Sequence, residues 1–364
     1  MKRSILLLGS KEYPLGTNKG DDPLPSGGME LYVQGLAGPL SRHADVSLIT
    51  RKFRRTPAYE KKGALTIHRV PYIKGFLLRN ISFNFRAFMK ALSLRFDVIV
   101  ANDEVASLFG WLLAKLKRRP LIAVSHGLAS EQPQYNPLAR TFFRFIESHV
   151  FKRADAVVTH APHQLAGKVG KPKLKVIMPG LERARLRKDR SLLVSFKPKG
   201  KVILFVGRLL AVKGVEHLLQ ALARLDFTYT CFIVGDGPAR QQLESLAKEL
   251  GANAVFTGVR DDVNRFLSIA DAFVLPSLSE SLSYSMLEAA YMRVPIVVTD
   301  IGILPKDCGM LVPRRAPAAI ARALKTVFGN KPQQDRMVRN AYRFTQQFDW
   351  ELAARKYKEV IASL

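Results

Sequence analysis

Short aliphatic and β-branched runs recur along this chain, and a longer stretch with helical spacing follows nearly every one. In the first half the runs are ILLLG (Ile5 to Gly9), DVSLIT (Asp45 to Thr50), LTIHRV (Leu65 to Val70), DVIVAN (Asp97 to Asn102), PLIAVSH (Pro120 to His126), DAVVTH (Asp155 to His160) and KVIMPG (Lys175 to Gly180). Helical patterns over Met29 to Arg42, Val105 to Lys117 and Leu138 to Lys152 separate them. Strands apolar on both faces, alternating with helices, predict a parallel sheet covered on both sides. After a polar, basic segment from Glu182 to Gly200 the pattern restarts with KVILFVG, YTCFIVGDG, AVFTG, AFVLP and PIVVTD. The expected fold class is therefore α/β: two doubly wound, Rossmann-like domains with parallel sheets facing across a cleft. The expected boundaries are 1–180 for the first domain, 181–200 for a linker, 201–345 for the second, and 346–364 for a C-terminal helix that starts near Trp350 and packs back towards the first domain. Ligands of such sheets sit beyond the carboxyl ends of strands, near helix N-termini.

Charge narrows the partners. The 57 Lys and Arg against 30 Asp and Glu give +27, of which residues 1–180 carry +17. An anionic partner is implied: phosphorylated substrate, nucleic acid or an anionic bilayer. Cys231 and Cys308 are far apart and form no metal or redox pattern, which fits two thiols in a reducing cytosol. The opening MKRSILLLGS reads as a buried first strand rather than a signal peptide, and no run approaches the ~20 apolar residues of a membrane span. A cytoplasmic protein, peripheral on the membrane at most, is expected.

The second half holds a constellation of charges at strand ends. GRLLAVKG follows the strand Val202 to Val206: Gly207 permits a tight turn, and Arg208 and Lys213 can reach one anion beside a helix start. An arginine fork and a mobile lysine charge suit a diphosphate. GDGP contributes Gly235, and VFTGV contributes Gly258, where a planar base or ribose could approach backbone. In PSLSESLSYSMLE, a helix expected over Ser281 to Met292 places Glu280 near its start and Glu288 about two turns in. Eight residues of helix separate the acids by ~12 Å of rise, too far to share a proton or one metal. They suit hydroxyl groups on two parts of a long ligand, since a carboxylate accepts two hydrogen bonds from a vicinal diol. Cations for phosphates and acids for polyols together describe a sugar nucleotide.

With these motifs, and the glycine pair Gly27 and Gly28 before a helix, nearly the whole chain resembles the retaining glycosyltransferase family 4, with its two-Rossmann GT-B fold. The resemblance implies that Arg208 and Lys213 hold the donor diphosphate and that Glu288 binds the nucleotide ribose. It further implies that Glu280 lies by the transferred sugar, as do the intervening Ser281, Leu282, Ser283 and Tyr284. His126, in AVSHG, would approach the donor hexose, with His160 and His163 as weaker alternatives. It implies transfer with retention, no cofactor, no bound metal, and a UDP- or GDP-linked donor. Several family glycines are absent: Arg293, Ile303, Ser281 and Ser283 stand at such positions, and Lys306 replaces an acid. The family's Asn-Gly-Val-Asp reads Pro179, Gly180, Leu181, Glu182.

The segment Phe76 to Phe96 interleaves apolar residues with Arg79, Arg86, Lys90 and Arg95, a pattern suited to an anionic headgroup layer; core packing is the plainer alternative. Arg140 to Arg153 is similar, and also reads as a core helix. A lipid-linked or phospholipid acceptor is the first expectation and a soluble sugar phosphate the second. A nucleic-acid or anionic-ligand binding protein would explain the charge but not the two acids, and no nucleic-acid motif stands out. A sugar-nucleotide epimerase or hydrolase, and a catalytically silent homologue, complete the rivals.

Overall fold

Alternate residues of the central strands serve two different cores, as a sheet covered on both faces requires. Ile5 and Leu7 pack into one apolar cluster and Leu6 and Leu8 into the other; Val98 and Val100 divide from Ile99 and Ala101 in the same way. The computed structural model describes residues 2–18, 28–74, 78–131, 136–165 and 173–364. The chain forms two units, Met1–Gly180 with Gln347–Leu364, and Leu181–Gln346.

The first unit runs β1 (Ser4–Leu8), α1 (Gly28–His43), β2 (Asp45–Arg51), β3 (Tyr59–Lys62), β4 (Leu65–Val70), α2 (Leu78–Leu92), β5 (Val98–Ala101), α3 (Glu104–Lys117), β6 (Leu121–Ser125), α4 (Pro137–Arg153), β7 (Ala156–Thr159), α5 (Pro162–Leu165) and β8 (Leu174–Val176). The second runs α6 (Leu192–Phe196), β9 (Lys201–Val206), α7 (Val215–Leu222), β10 (Tyr229–Val234), α8 (Arg240–Glu249), β11 (Ala254–Gly258), α9 (Val263–Ile269), β12 (Ala272–Leu275), α10 (Tyr284–Tyr291), β13 (Ile296–Thr299), β14 (Met310–Val312), α11 (Pro317–Gly329) and α12 (Lys331–Phe344). The last helix, α13 (Trp350–Ala362), belongs to the first unit.

The first sheet has the order β3-β4-β2-β1-β5-β6-β7-β8, and only β3 runs antiparallel to its neighbour. The second, β11-β10-β9-β12-β13-β14, is parallel throughout. In the first unit α1 and α13 cover one face, where the Tyr32 and Tyr357 hydroxyls share a buried hydrogen bond of 2.9 Å. Helices α2, α3 and α4 cover the other through Phe83, Leu113, Ile146 and Val150. A fully buried side chain of this size contributes roughly 1.5–3 kcal/mol relative to exposure. The two apolar layers therefore dominate the stability of the unit.

Three local expectations change. The strand foreseen over Lys175 to Gly180 ends at Val176. The segment from Glu182 to Gly200 is more than a connector, because α6 seats Phe196 against Phe232 and Phe266, ring centroids 5.2 and 5.8 Å away. The amphipathic run from Phe76 begins partly outside the described residues, and its helix stops at Leu92, leaving Arg95 beyond it. Among the described residues no helix is long and apolar enough to cross a membrane.

Candidate active site

Strand order in the second sheet reverses at β9, with β10 on one side and β12 on the other. The loops leaving β9 and β12 must diverge there, and the crevice above a reversal point is where open α/β sheets bind ligands. Those two loops carry GRLLAVKG and PSLSE.

They are fastened together. The Leu278 amide donates to the Val212 carbonyl at 2.8 Å. Gly214, at φ +64°, lies so close to the next loop that a Cβ would stand 2.2 Å from the Pro276 carbonyl oxygen. Across this junction Lys213 pairs with Glu280, and Ser277 Oγ donates to the same carboxylate oxygen at 3.0 Å. Both charged groups are largely withdrawn from solvent. Arg208 is exposed, and among the described residues no side chain pairs with it. Ser277 was not anticipated; its place three residues before Glu280 at a strand end was the available signal.

The other two strand ends join the same row. Gly207 donates its amide to Val234, at 3.0 Å, and Gly235 donates to the Gly258 carbonyl at 2.8 Å. So Gly207, Gly235 and Gly258, distant in sequence, lie side by side.

Helix α10 starts at Tyr284, not Ser281, because Ser283 caps it: its side chain accepts from the Met286 amide at 3.2 Å. Ser281 and Leu282 are thus loop residues, and the helical separation expected between Glu280 and Glu288 does not apply. Ser285 Oγ donates to the Val206 carbonyl at 2.9 Å, holding the first turn of α10 against the end of β9. Glu288 sits one turn on. Burial pushes its pKa up to about 7; nearby Glu182 adds to the rise and Arg185 opposes it. Among the described residues no hydrogen bond or ion pair reaches its carboxyl. The basic segment read as a linker supplies both of these neighbours.

In the first unit His126 follows β6. Its Nε2 is buried and among the described residues has no hydrogen-bond partner, Tyr32 meets the ring edge-on at 4.8 Å, and His160 lies 5.5 Å away. Burial, and then the proximity of His160 and Lys11, hold its pKa well below the usual histidine range. Burial alone brings His160 to about 4. Both rings are neutral at pH 7. Glu104, at the start of α3, escaped notice as an ordinary helix-start acid; burial, then Asp103, push it up to about 8. Gly28 opens α1, whereas Gly27 lies outside the described residues, and the side chain of His163 is likewise not described. Among the described residues no three His, Cys, Asp or Glu side chains are placed to hold a metal ion.

Two family profiles match: "Glycosyl transferase 4-like domain" over residues 27–167 and "Glycosyl transferases group 1" over residues 200–330. The chain belongs to the family 4 type of glycosyltransferases. It is 26% identical to a D-inositol 3-phosphate glycosyltransferase of Corynebacterium efficiens, over 90% of this chain and 88% of that protein. It is also 26% identical to an uncharacterised glycosyltransferase of Methanocaldococcus jannaschii, over 93% of this chain and 95% of that one. Among solved structures, sucrose-phosphate synthase from Thermosynechococcus elongatus covers all of both chains with a TM-score of 0.83 at 21% identity. Anabaena HepE in complex with UDP-glucose does so with 0.78 at 18%. These likenesses show the GT-B fold.

The departures of this glycosyltransferase from its family now have physical content. Ile303 is buried, so its side chain fills space, while Lys306 is exposed. Arg293 is the second residue beyond the end of α10, at φ +62°, a left-handed conformation that glycine adopts freely. Its guanidinium lies over the Tyr342 ring at 4.5 Å. The strain costs about 1 kcal/mol and the cation–π contact returns a similar amount. Arg293→Gly is therefore expected to unfold within about 1 kcal/mol of the parent, whereas Arg293→Ala, which keeps the strain and loses the contact, falls by about 1 kcal/mol. Denaturant titration of both variants checks this, and an Arg293→Ala variant as stable as the parent contradicts it.

Of the four basic residues assigned to a membrane, Arg79 is buried on the same side of α2 as Phe83, four residues on. It cannot face a bilayer. Arg86 is exposed and Lys90 half-exposed.

Proposed function

We propose that this glycosyltransferase moves a hexose from a UDP- or GDP-linked donor to a hydroxyl acceptor with retention of configuration, and without a bound metal or cofactor. The observation carrying this reading is the placement of Arg208 and the Lys213–Glu280 pair at the reversal of the second sheet. Positive groups there stabilise the charge that grows on a leaving diphosphate as the C1–O bond stretches. They supply what a metal ion would otherwise supply. Glu280 accepts from hydroxyls of the transferred sugar, Glu288 from those of the ribose, and the backbone at Gly258 admits the base. The UDP-glucose complex of HepE supports a uridine donor.

The acceptor in this reading is lipid-linked. A soluble phosphorylated polyol is the second reading, favoured by the name of the Corynebacterium relative. Binding of UDP-, GDP- and ADP-sugars, followed by turnover with membrane lipid extract or with sugar phosphates, decides donor and acceptor. Failure to bind any nucleotide sugar overturns the proposal.

The role of Glu288 predicts a pH dependence. A diol donates to carboxylate, and the ionised fraction of a group with pKa about 7 rises through neutrality. Affinity for the nucleotide sugar, whose diphosphate has no group titrating there, is expected to rise up to about tenfold between roughly pH 6 and 8. In Glu288→Gln that slope disappears. A calorimetric series with unchanged slope in the variant removes Glu288 from the ribose site.

A further inference from the structure

We propose that α2, α3 and α4 together form a docking face for an anionic lipid bilayer. The three helices lie side by side on one face of the first sheet, their inner residues filling a shared core. Each also carries large apolar side chains on the side turned to solvent. On α2 these are Ile81, Phe85 and Met89, four residues apart and all more than half exposed. On α4 they are Leu138, Phe142 and Phe145, with Leu138 81% exposed. Leu112 and Leu116 continue the surface on α3. Spacings of three and four residues put each set on one stripe of its helix. A soluble surface tolerates scattered apolar residues, but contiguous stripes on adjacent helices mark a contact surface.

Charge identifies the occupant. The exposed ionic groups of these helices are basic, among them Arg86, Lys115, Lys117, Arg144, Lys152 and Arg153. The acids of the three helices are withdrawn: Glu147 is buried and accepts from the Ser130 amide at 3.0 Å, and Glu104 is half-buried. A second copy of this chain would bring like charges together. Nucleic acid would match the charge and leave the phenylalanines and leucines in water. A layer of anionic headgroups above hydrocarbon satisfies both. None of Arg208, Lys213, Glu280 and Glu288 belongs to these helices, so donor binding and membrane binding can fail independently.

The test uses the full chain and vesicles of phosphatidylcholine alone or mixed with phosphatidylglycerol, read by co-sedimentation. Partition onto the anionic vesicles is expected to exceed that onto pure phosphatidylcholine and to weaken as salt is raised. The pairs Phe85→Ser with Met89→Ser, and Phe142→Ser with Phe145→Ser, each lower it by about tenfold or more. So does Arg144→Gln combined with Lys152→Gln and Arg153→Gln. All these positions are exposed, and an unchanged melting temperature together with unchanged nucleotide-sugar binding confirms that each variant is folded. Equal binding to the two vesicle types overturns the proposal. So does full binding by the α4 pair, and so does a lipid-free dimer that this pair dissociates.

Discussion

Lys213→Ala is expected to lower kcat for sugar transfer by about 10²–10³-fold. Lysine at this point has two tasks. It supplies positive charge to the departing diphosphate, and before the ligand arrives it neutralises Glu280, a carboxylate largely removed from water. Alanine removes the first and also withdraws this cation from the acid, beside the position proposed for the phosphates, where like charges repel. Arg208→Ala removes a charge without exposing a partner, so its loss should be the smaller of the two. A double-mutant cycle separates the contributions. Glu280→Gln should cost less in the Lys213→Ala background than in the parent, because the repulsion it relieves exists only there. Additive losses would mean that the ion pair is not a functional unit. Parent-like kcat and KM in both Lys213→Ala and Arg208→Ala would remove the diphosphate role altogether.

The parallel sheets were legible because central strands buried on both faces must be continuously apolar, and the chain writes them so. Strand β3 was not: YEKK is short, mostly exposed and charged, as an edge strand needs to be, and therefore carries no apolar signal. Helix α2 shows a different limit. Phe83, Ala87 and Ala91 form one apolar stripe and Ile81, Phe85 and Met89 another. Periodicity identifies both stripes but not which one meets the sheet, so the burial of Arg79 could not be foreseen.

At the site, residue types at strand ends were sufficient to nominate Arg208, Lys213, Glu280 and Glu288. Their pairings were not readable, since Lys213 and Glu280 are 67 residues apart and meet only through the order in which β9 and β12 are laid down. Glu182 and Arg185, the neighbours that tune Glu288, lie in a stretch whose composition looks like an ordinary connector. Composition records solvation, and these residues act through position.

The glycines at the ends of β9 and β10 give the sharpest structural prediction. Gly235 has φ +132°, outside the ordinary range of L-residues, and a Cβ there would lie 2.0 Å from the Gly207 carbonyl oxygen. That oxygen is backbone and cannot turn aside as a side chain could. Gly235→Ala must therefore both strain its own backbone and push the β9 and β10 loops apart. A destabilisation of about 3 kcal/mol or more is expected, which lowers the melting temperature of a unit this size by roughly 6–12 °C. Gly251→Ala is the control: φ is +62° and no atom lies within 4 Å of the added methyl, so only the conformational cost of about 1 kcal/mol remains. The two variants also separate stability from function. Below its melting temperature Gly235→Ala should still bind nucleotide sugar poorly, because the displaced loop carries Gly207 and Arg208, whereas Gly251→Ala should bind as the parent does. Equal melting temperatures for the two variants would show that the β9 and β10 loops yield freely. The row of strand-end glycines would then be a permissive turn rather than a fixed cradle for the donor.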